Sequence, residues 1–336
     1  MTKVYKPAGR EKMLSSTKLL LKISRPEFAP ANSASLIIGV AWGLTLPVGL
    51  LWGLGIPLVM AYSVITLVAA YAAQINTLSD YELDLKDETK RELVNALSQF
   101  PRGKLRIIMF MELALSFAIL SLLVVIEGKI VMFLLWAAAV FFAHAYSAPP
   151  LRLKSRGVFA PVTLLLVLSV LPVSFVAYSF STNLNYAFWL FLMGQALTVY
   201  GVIVPAEIRD YFGDKKMGIS TFTVQIGLVK ASLFGIALLI VGGSLASAGL
   251  ILGLAYSAFP LLSVFIAVLA AAYVYILGKY WKLYMLSKKY MYIRLENQNT
   301  LENEIVTIAA KNPKWITLIT QAIVLMCVVL LVSKLI

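Results

Sequence analysis

Charged residues make up only 13% of this 336-residue chain, while 60% of it is hydrophobic. A water-surrounded globule of this length does not carry so little charge, so the composition excludes a soluble domain. It indicates an all-α polytopic membrane bundle, read as a single integral-membrane domain over residues 1–336. Cysteine and histidine are nearly absent: Cys327 lies in the final apolar run and His144 near the end of another. That excludes a disulfide framework and the spacings of zinc or haem attachment, and leaves His144 as a hydrogen-bonded packing residue. Neither a glycine-rich phosphate loop nor a Ser/His/Asp nucleophile set is present. Carboxylates are few as well, 16 against 29 lysines and arginines, for a net charge of +13. The positive residues sit in the connections between apolar runs and not on one patch, which excludes nucleic acid as a partner.

What fills the chain instead is apolar runs long enough to cross a bilayer, about 20 residues each. They fall near 30–51, 56–76, 106–126, 130–147, 158–180, 186–206, 228–249, 255–278 and 314–334. Nine spans put the termini on opposite sides. With the N-terminus in the cytoplasm, only Lys129 and Lys334 of the 29 basic residues lie outside, a bias that sets the expected orientation. Residues 1–28 then form a cytoplasmic, interfacial segment in which Lys18, Lys22 and Arg25 alternate with leucines. The loops expected to carry the site, 77–105 and 207–227, face the cytoplasm.

The few carboxylates are not scattered. Six of the 16 lie between positions 80 and 92, and a second group is Glu207, Asp210 and Asp214. Asn76-x-x-x-Asp80-x-x-x-Asp84 and Asp210-x-x-x-Asp214 each follow an apolar span, and a spacing of four puts each pair on one helix face. Like charges at that spacing repel, so two such pairs at membrane depth call for a cation. Mg²⁺ is the candidate, a hard cation suited to carboxylates together with phosphate oxygens. Asn76, Asp80, Asp84, Asp210 and Asp214 are therefore the candidate metal ligands, whereas Glu82, Asp87, Glu88 and Glu92 read as a solvated, mixed-charge loop. A basic complement follows the fourth span: Tyr146-Ser147-Ala148-Pro149-Pro150-Leu151-Arg152-Leu153-Lys154-Ser155-Arg156. Pro-Pro ends the helix, and the three cations are expected on alternating positions of an extended segment. They are either positive-inside decoration or phosphate contacts, the same choice that Arg25 presents at the entry to the first span. Glu112, two turns into the third span, is an intramembrane carboxylate and a functional candidate, or the partner of Arg106.

The two acidic motifs and the Tyr-Ser-x-Pro-Pro-x-Arg-x-Lys loop together resemble the UbiA superfamily of intramembrane prenyltransferases, of the 4-hydroxybenzoate polyprenyltransferase-like kind, along nearly the whole chain. Gly213-Asp214 and Gly218-x-x-Thr221 extend the likeness. The resemblance implies nine helices and Mg²⁺-dependent transfer of a polyprenyl group from an isoprenyl diphosphate, such as geranylgeranyl diphosphate, to a lipophilic or aromatic acceptor in the membrane. It implies that Asp80, Asp84, Asp210 and Asp214, with Asn76, hold metal on the diphosphate. Arg152, Lys154 and Lys215 would neutralise it, with Arg25 and Arg209 as further substrate contacts. Tyr146 and Tyr200 would face the allylic cation through their rings.

Departures from the pattern bear on the acceptor. Thr77 stands where many members have Asp. Glu88-Thr-Lys-Arg-Glu-Leu-Val replaces the Asn-x-x-x-Arg-Pro-x-Pro segment of chlorophyll- and ether-lipid-type members, and Ile208-Arg209-Asp210 resembles naphthoquinone-type members. A quinone-type acceptor is expected; the alternatives are a glycerol ether lipid, a carotenoid or a tetrapyrrole. From a different class, a cation-coupled transporter would also use paired acids in a bundle, but near span centres and not at their ends.

Overall fold

A computed structural model describes residues 15–26, 29–44, 55–85, 90–253, 259–292 and 298–335, and among these there are helices but no strands. In chain order the helices are α1 (Ser16–Ile23), α2 (Ala29–Gly43), α3 (Gly55–Asp84), α4 (Arg91–Gln99), α5 (Arg102–Glu127), α6 (Val131–Ser147) and α7 (Phe159–Leu165). They continue as α8 (Leu171–Phe180), α9 (Tyr186–Lys216), α10 (Phe222–Ile226), α11 (Leu228–Gly253), α12 (Phe259–Tyr292), α13 (Gln298–Ala309) and α14 (Asn312–Leu335). A π-helical turn, Leu166–Val170, joins α7 to α8 so that the three act as one span. Seven segments are long and apolar enough to cross a membrane, and α6 is a shorter apolar helix. With α2 they match the nine expected runs. The end of the first run, with Pro47, lies outside the described residues, as do Asp87 and Glu88.

The bundle is organised around α9. Its residues Phe188, Phe191, Leu192, Tyr200 and Ile208 are at most 1% exposed and form the main core with residues of α2, α8, α11, α12 and α14. Apolar burial does little to drive helices together in lipid, so close approach has to come from small residues. A Cβ on Gly194 of α9 would lie 2.1 Å from the backbone nitrogen of Ala246 on α11, and one on Gly249 would lie 2.4 Å from that of Phe191. The two helices therefore touch backbone to backbone. A second cluster joins α3, α5, α6 and α8 through Val64, Leu120, Leu123, Met132 and Val176. Large apolar side chains on the outer face of α5, Phe110 and Val125 among them, are exposed, as a lipid-facing surface requires.

The amphipathic N-terminal segment folds as expected. Ser15 caps α1 by accepting from the Lys18 amide, and Leu19 and Ile23 are buried against Tyr71, Leu97 and Phe100. Lys22 pairs with Glu92 of α4 at 2.8 Å. The loops expected at 77–105 and 207–227 are largely helical. α3 and α9 run on through the acidic motifs to Asp84 and Lys216, and α4 fills most of the remainder of the first connection. Each motif continues its helical repeat, and nothing in either stretch breaks it until Gly218, at φ +70°.

Candidate active site

Both acidic motifs occupy the C-terminal turns of long helices, where unpaired carbonyls already give a negative end. Carboxylates placed there compound that potential and require cations. Asp80 and Asp84 are buried, at 8% and 6% exposure, and each is met by basic side chains. Arg152 Nη2 donates to Asp80 Oδ1 at 3.2 Å, and Lys154 Nζ donates to the same oxygen. Lys90 Nζ donates to Asp84 Oδ1 at 2.6 Å. Asn76 Nδ2 donates to Ser147 Oγ at 2.9 Å, which turns the amide toward the end of α6.

The segment supplying Arg152 and Lys154 is not extended. Residues Leu153–Ser155 form a 3₁₀ turn, entered through Arg152 at φ 40°, ψ 57°. A left-handed backbone at a non-glycine residue costs roughly 1–2 kcal/mol and persists only where the surroundings hold it. Here the Pro-Pro end of α6 turns the chain back, so that Arg152 and Lys154 both point to Asp80, while Arg156 donates to the Pro150 carbonyl at 2.8 Å. Burial pushes the Lys154 ammonium below the usual lysine range, and the Arg152 and Lys90 charges act the same way against the pull of Asp80.

The second motif faces the same cations. Lys90 and Lys154 lie within electrostatic range of Asp214, which also accepts from Thr221 Oγ1 at 3.3 Å. Tyr146, at the end of α6, lies within range of both Asp80 and Glu207. α3, α6, α9 and the 3₁₀ turn thus bring these charged side chains together at one end of the bundle. Two further predicted contacts have partners on α9 itself. Lys215 lies over the Tyr211 ring at 5.7 Å, and Arg209 grips its neighbour Asp210 at 2.8 and 3.2 Å. The Tyr200 hydroxyl donates to Glu207 Oε1 at 2.9 Å, and Thr223 Oγ1 donates to Glu207 Oε2 at 2.7 Å. Arg25 adopts φ 52° directly after α1.

Lys90 and Glu207 also lie among these charged side chains, although neither was among the expected site residues. Lys90 belonged to a run that reads as solvated, yet its ammonium donates to Asp84 six residues back. Glu207 did carry a signal, since it stands one helical turn before Asp210. Glu112 is not paired with Arg106. It accepts from Gln74 Nε2 at 2.8 Å, and Gln74 also donates to Ser24 Oγ at 2.9 Å, tying α1 to α3 and α5. His144 is a hydrogen-bonded residue, 2.8 Å from the Tyr71 hydroxyl.

The sequence profile of the UbiA prenyltransferase family matches residues 33–295. The chain belongs to the UbiA prenyltransferase family. Solved members share its fold. One is a UbiA homologue from Archaeoglobus fulgidus bound to GPP and Mg²⁺, 17% identical, with a TM-score of 0.61 over 90% of this chain and 99% of that one. Another is a digeranylgeranylglyceryl phosphate synthase, 15% identical, with a TM-score of 0.63 over 96% and 99%. Among curated proteins, a chloroplastic 2-acylphloroglucinol 4-prenyltransferase of Humulus lupulus is 26% identical over 178 residues, 51% of this chain. That match spans 41% of the relative's own length.

Proposed function

We propose that this UbiA-family protein transfers a polyprenyl group from an isoprenyl diphosphate to a lipophilic acceptor within the membrane, with Mg²⁺ as cofactor and the charged pocket on the cytoplasmic side. The observation that carries the reading is the pairing of scarce carboxylates with clustered cations. Asp80 with Arg152 and Lys154, and Asp84 with Lys90, form a pocket of both signs. A diphosphate with its counter-metal is itself of both signs, and it satisfies each half by exchange: metal to carboxylate, phosphate oxygen to lysine and arginine.

The residues fit Mg²⁺ in the manner that ion prefers. No group of three carboxylate, histidine or cysteine side chains converges on a ready cage among the described residues. Mg²⁺ is held through one or two carboxylates plus substrate phosphates, not by an all-protein cage. Asp80 and Asp84 with the Asn76 amide on α3, and Asp210 and Asp214 on α9, would hold it. The ion would neutralise charge that builds on the departing diphosphate. Arg152, Lys154 and Lys90 stabilise the same charge from the other side. Apolar residues of α6 and α9 would exclude water from the reacting carbon, and the Tyr146 ring would stabilise a cation forming there.

The relative named for a 2-acylphloroglucinol acceptor supports an aromatic acceptor, of which a quinone precursor is one kind. The test is an acceptor panel in liposomes with labelled geranylgeranyl diphosphate and Mg²⁺, with products read by mass. A prenylated aromatic product supports the reading, a prenylated glycerol ether moves the acceptor class, and no donor consumption with any acceptor refutes it. Transport by a cation-coupled carrier is disfavoured because the acids sit at helix ends beside basic turns.

A further inference from the structure

Prenyl transfer makes two demands that different residues have to meet. Charge must be stabilised on the leaving diphosphate, and a proton must be taken from the acceptor atom that forms the new bond. The aspartates of the pocket are committed to the first demand, since Asp80 and Asp84 are ion-paired and Asp214 lies within range of two lysines. Asp210 is gripped by Arg209. A carboxylate neutralised by cations is a weak base.

Glu207 is the exception. Its two oxygens are held by hydroxyls, Tyr200 Oη at 2.9 Å and Thr223 Oγ1 at 2.7 Å, and no lysine or arginine pairs with it among the described residues. Both partners are 1% exposed, so the carboxylate is anchored from beneath by groups shut off from water. Its charged neighbours on α9 are Asp210 and Asp214, of its own sign. The Tyr146 hydroxyl of α6 lies within its electrostatic range.

Position along the helix points the same way. Tyr200, Glu207 and Asp214 recur every seven residues, which places them on one stripe of α9. Because α9 ends at Lys216, smaller numbers lie deeper. At 1.5 Å per residue Glu207 is about 4.5 Å below Asp210 and about 10 Å below Asp214. The reacting carbon of an allylic diphosphate is one bridging oxygen inward from phosphorus. A carboxylate one turn beneath the diphosphate ligands therefore stands at the depth of the new bond and not of the leaving group.

We propose that Glu207 is the catalytic base of the acceptor half-site, receiving the proton that a hydroxyl-bearing acceptor loses as it is prenylated. The inference rests on the prenyltransferase reading above. The allylic carbon–oxygen bond breaks and its electron pair leaves with the diphosphate. The acceptor's nucleophilic atom, a ring carbon ortho to a phenolic hydroxyl or the hydroxyl oxygen itself, forms the new bond with its own pair. The proton that this atom sheds passes to the Glu207 carboxylate and from there to water at the mouth of the pocket. Tyr200 and Thr223 are positioning residues that fix the carboxylate while leaving lone pairs on both oxygens free to accept.

Glu207→Gln tests the assignment, because the amide oxygen still accepts a hydrogen bond while the basic carboxylate is gone. Labelled donor, Mg²⁺ and acceptor are supplied in liposomes, and prenylated product and prenyl alcohol, the water-quenched cation, are both counted. The expected result is product formation reduced at least about 100-fold, a donor KM within about twofold of wild type, and an alcohol-to-product ratio that rises at least tenfold. Product formed at the wild-type rate overturns the assignment, and so does a donor KM that worsens in step with product loss. If Glu207→Gln does not accumulate as folded protein, Thr223→Val carries the test. It must lower product formation without changing donor KM, and unchanged product formation overturns the proposal. A wild type that consumes donor while Glu207→Gln matches it in product sinks only the base; a wild type inert toward every donor sinks the prenyltransferase reading with it.

Discussion

Arg152→Ala separates donor binding from everything else the pocket does. In the resting protein Arg152 shares Asp80 with Lys154, and its side chain is 34% exposed. Removing it leaves Asp80 paired, so the structural cost is that of a partly solvated ion pair, about 1 kcal/mol or less. Part of that is returned if the left-handed backbone at φ 40° relaxes. Function should lose more. A charge-assisted hydrogen bond from guanidinium to a phosphate oxygen contributes roughly 1.5–3 kcal/mol. Donor KM should therefore rise about 10- to 100-fold at an energy of 1.36 kcal/mol per decade, while acceptor KM stays within about twofold. Arg152→Gly should show the same kinetic defect in a protein at least as stable as wild type, because glycine accepts positive φ without cost. Initial rates with each substrate varied in turn, together with thermal melts in detergent, give donor KM, acceptor KM and stability for each variant. An acceptor KM that rises while donor KM stands still would refute the placement of this turn against the diphosphate.

The remaining expectations are simpler to state. Lys90→Met should weaken donor binding by several-fold, less than Arg152→Ala because Lys90 is 46% exposed, and donor KM measures it. Gly194→Val should destabilise the bundle by about 1–3 kcal/mol or prevent assembly, since even a Cβ there would meet the Ala246 backbone at 2.1 Å; melting temperature and yield report it. EDTA should abolish turnover and added Mg²⁺ restore it, as followed by diphosphate release.

The fold was legible because its determinants are local. Apolar length gives the spans and basic loops suggest the orientation, so nine runs could be placed without any contact information. The acidic motifs were legible for a related reason: a carboxylate every fourth residue beside lipid has few purposes. What eluded sequence reasoning depends on where the chain returns after a helix ends. Lys90, at the start of α4, meets Asp84 at the end of α3, and Arg152 and Lys154 converge on Asp80 only because the chain leaves α6 through a left-handed residue into a 3₁₀ turn. Alternation in an extended strand would have sent Arg152, Lys154 and Arg156 to one side together, whereas Arg156 turns away to Pro150. Lys215 and Arg209 show the converse. Proximity in sequence to Asp214 and Asp210 suggested substrate contacts, and in the folded chain Lys215 lies over the Tyr211 ring while Arg209 pairs with Asp210, both on α9.

The central claim is that Asp80 on α3 and Asp210 on α9 belong to one metal–diphosphate clamp. It is tested most directly by a double-mutant cycle on Mg²⁺-dependent diphosphate release, using Asp80→Asn, Asp210→Asn and the pair. Groups acting as one unit are far from additive. Each single variant should lose at least about 100-fold in turnover, and the double variant should be little worse than either. Wild-type turnover in either single variant, or losses that multiply in the double, would contradict the account.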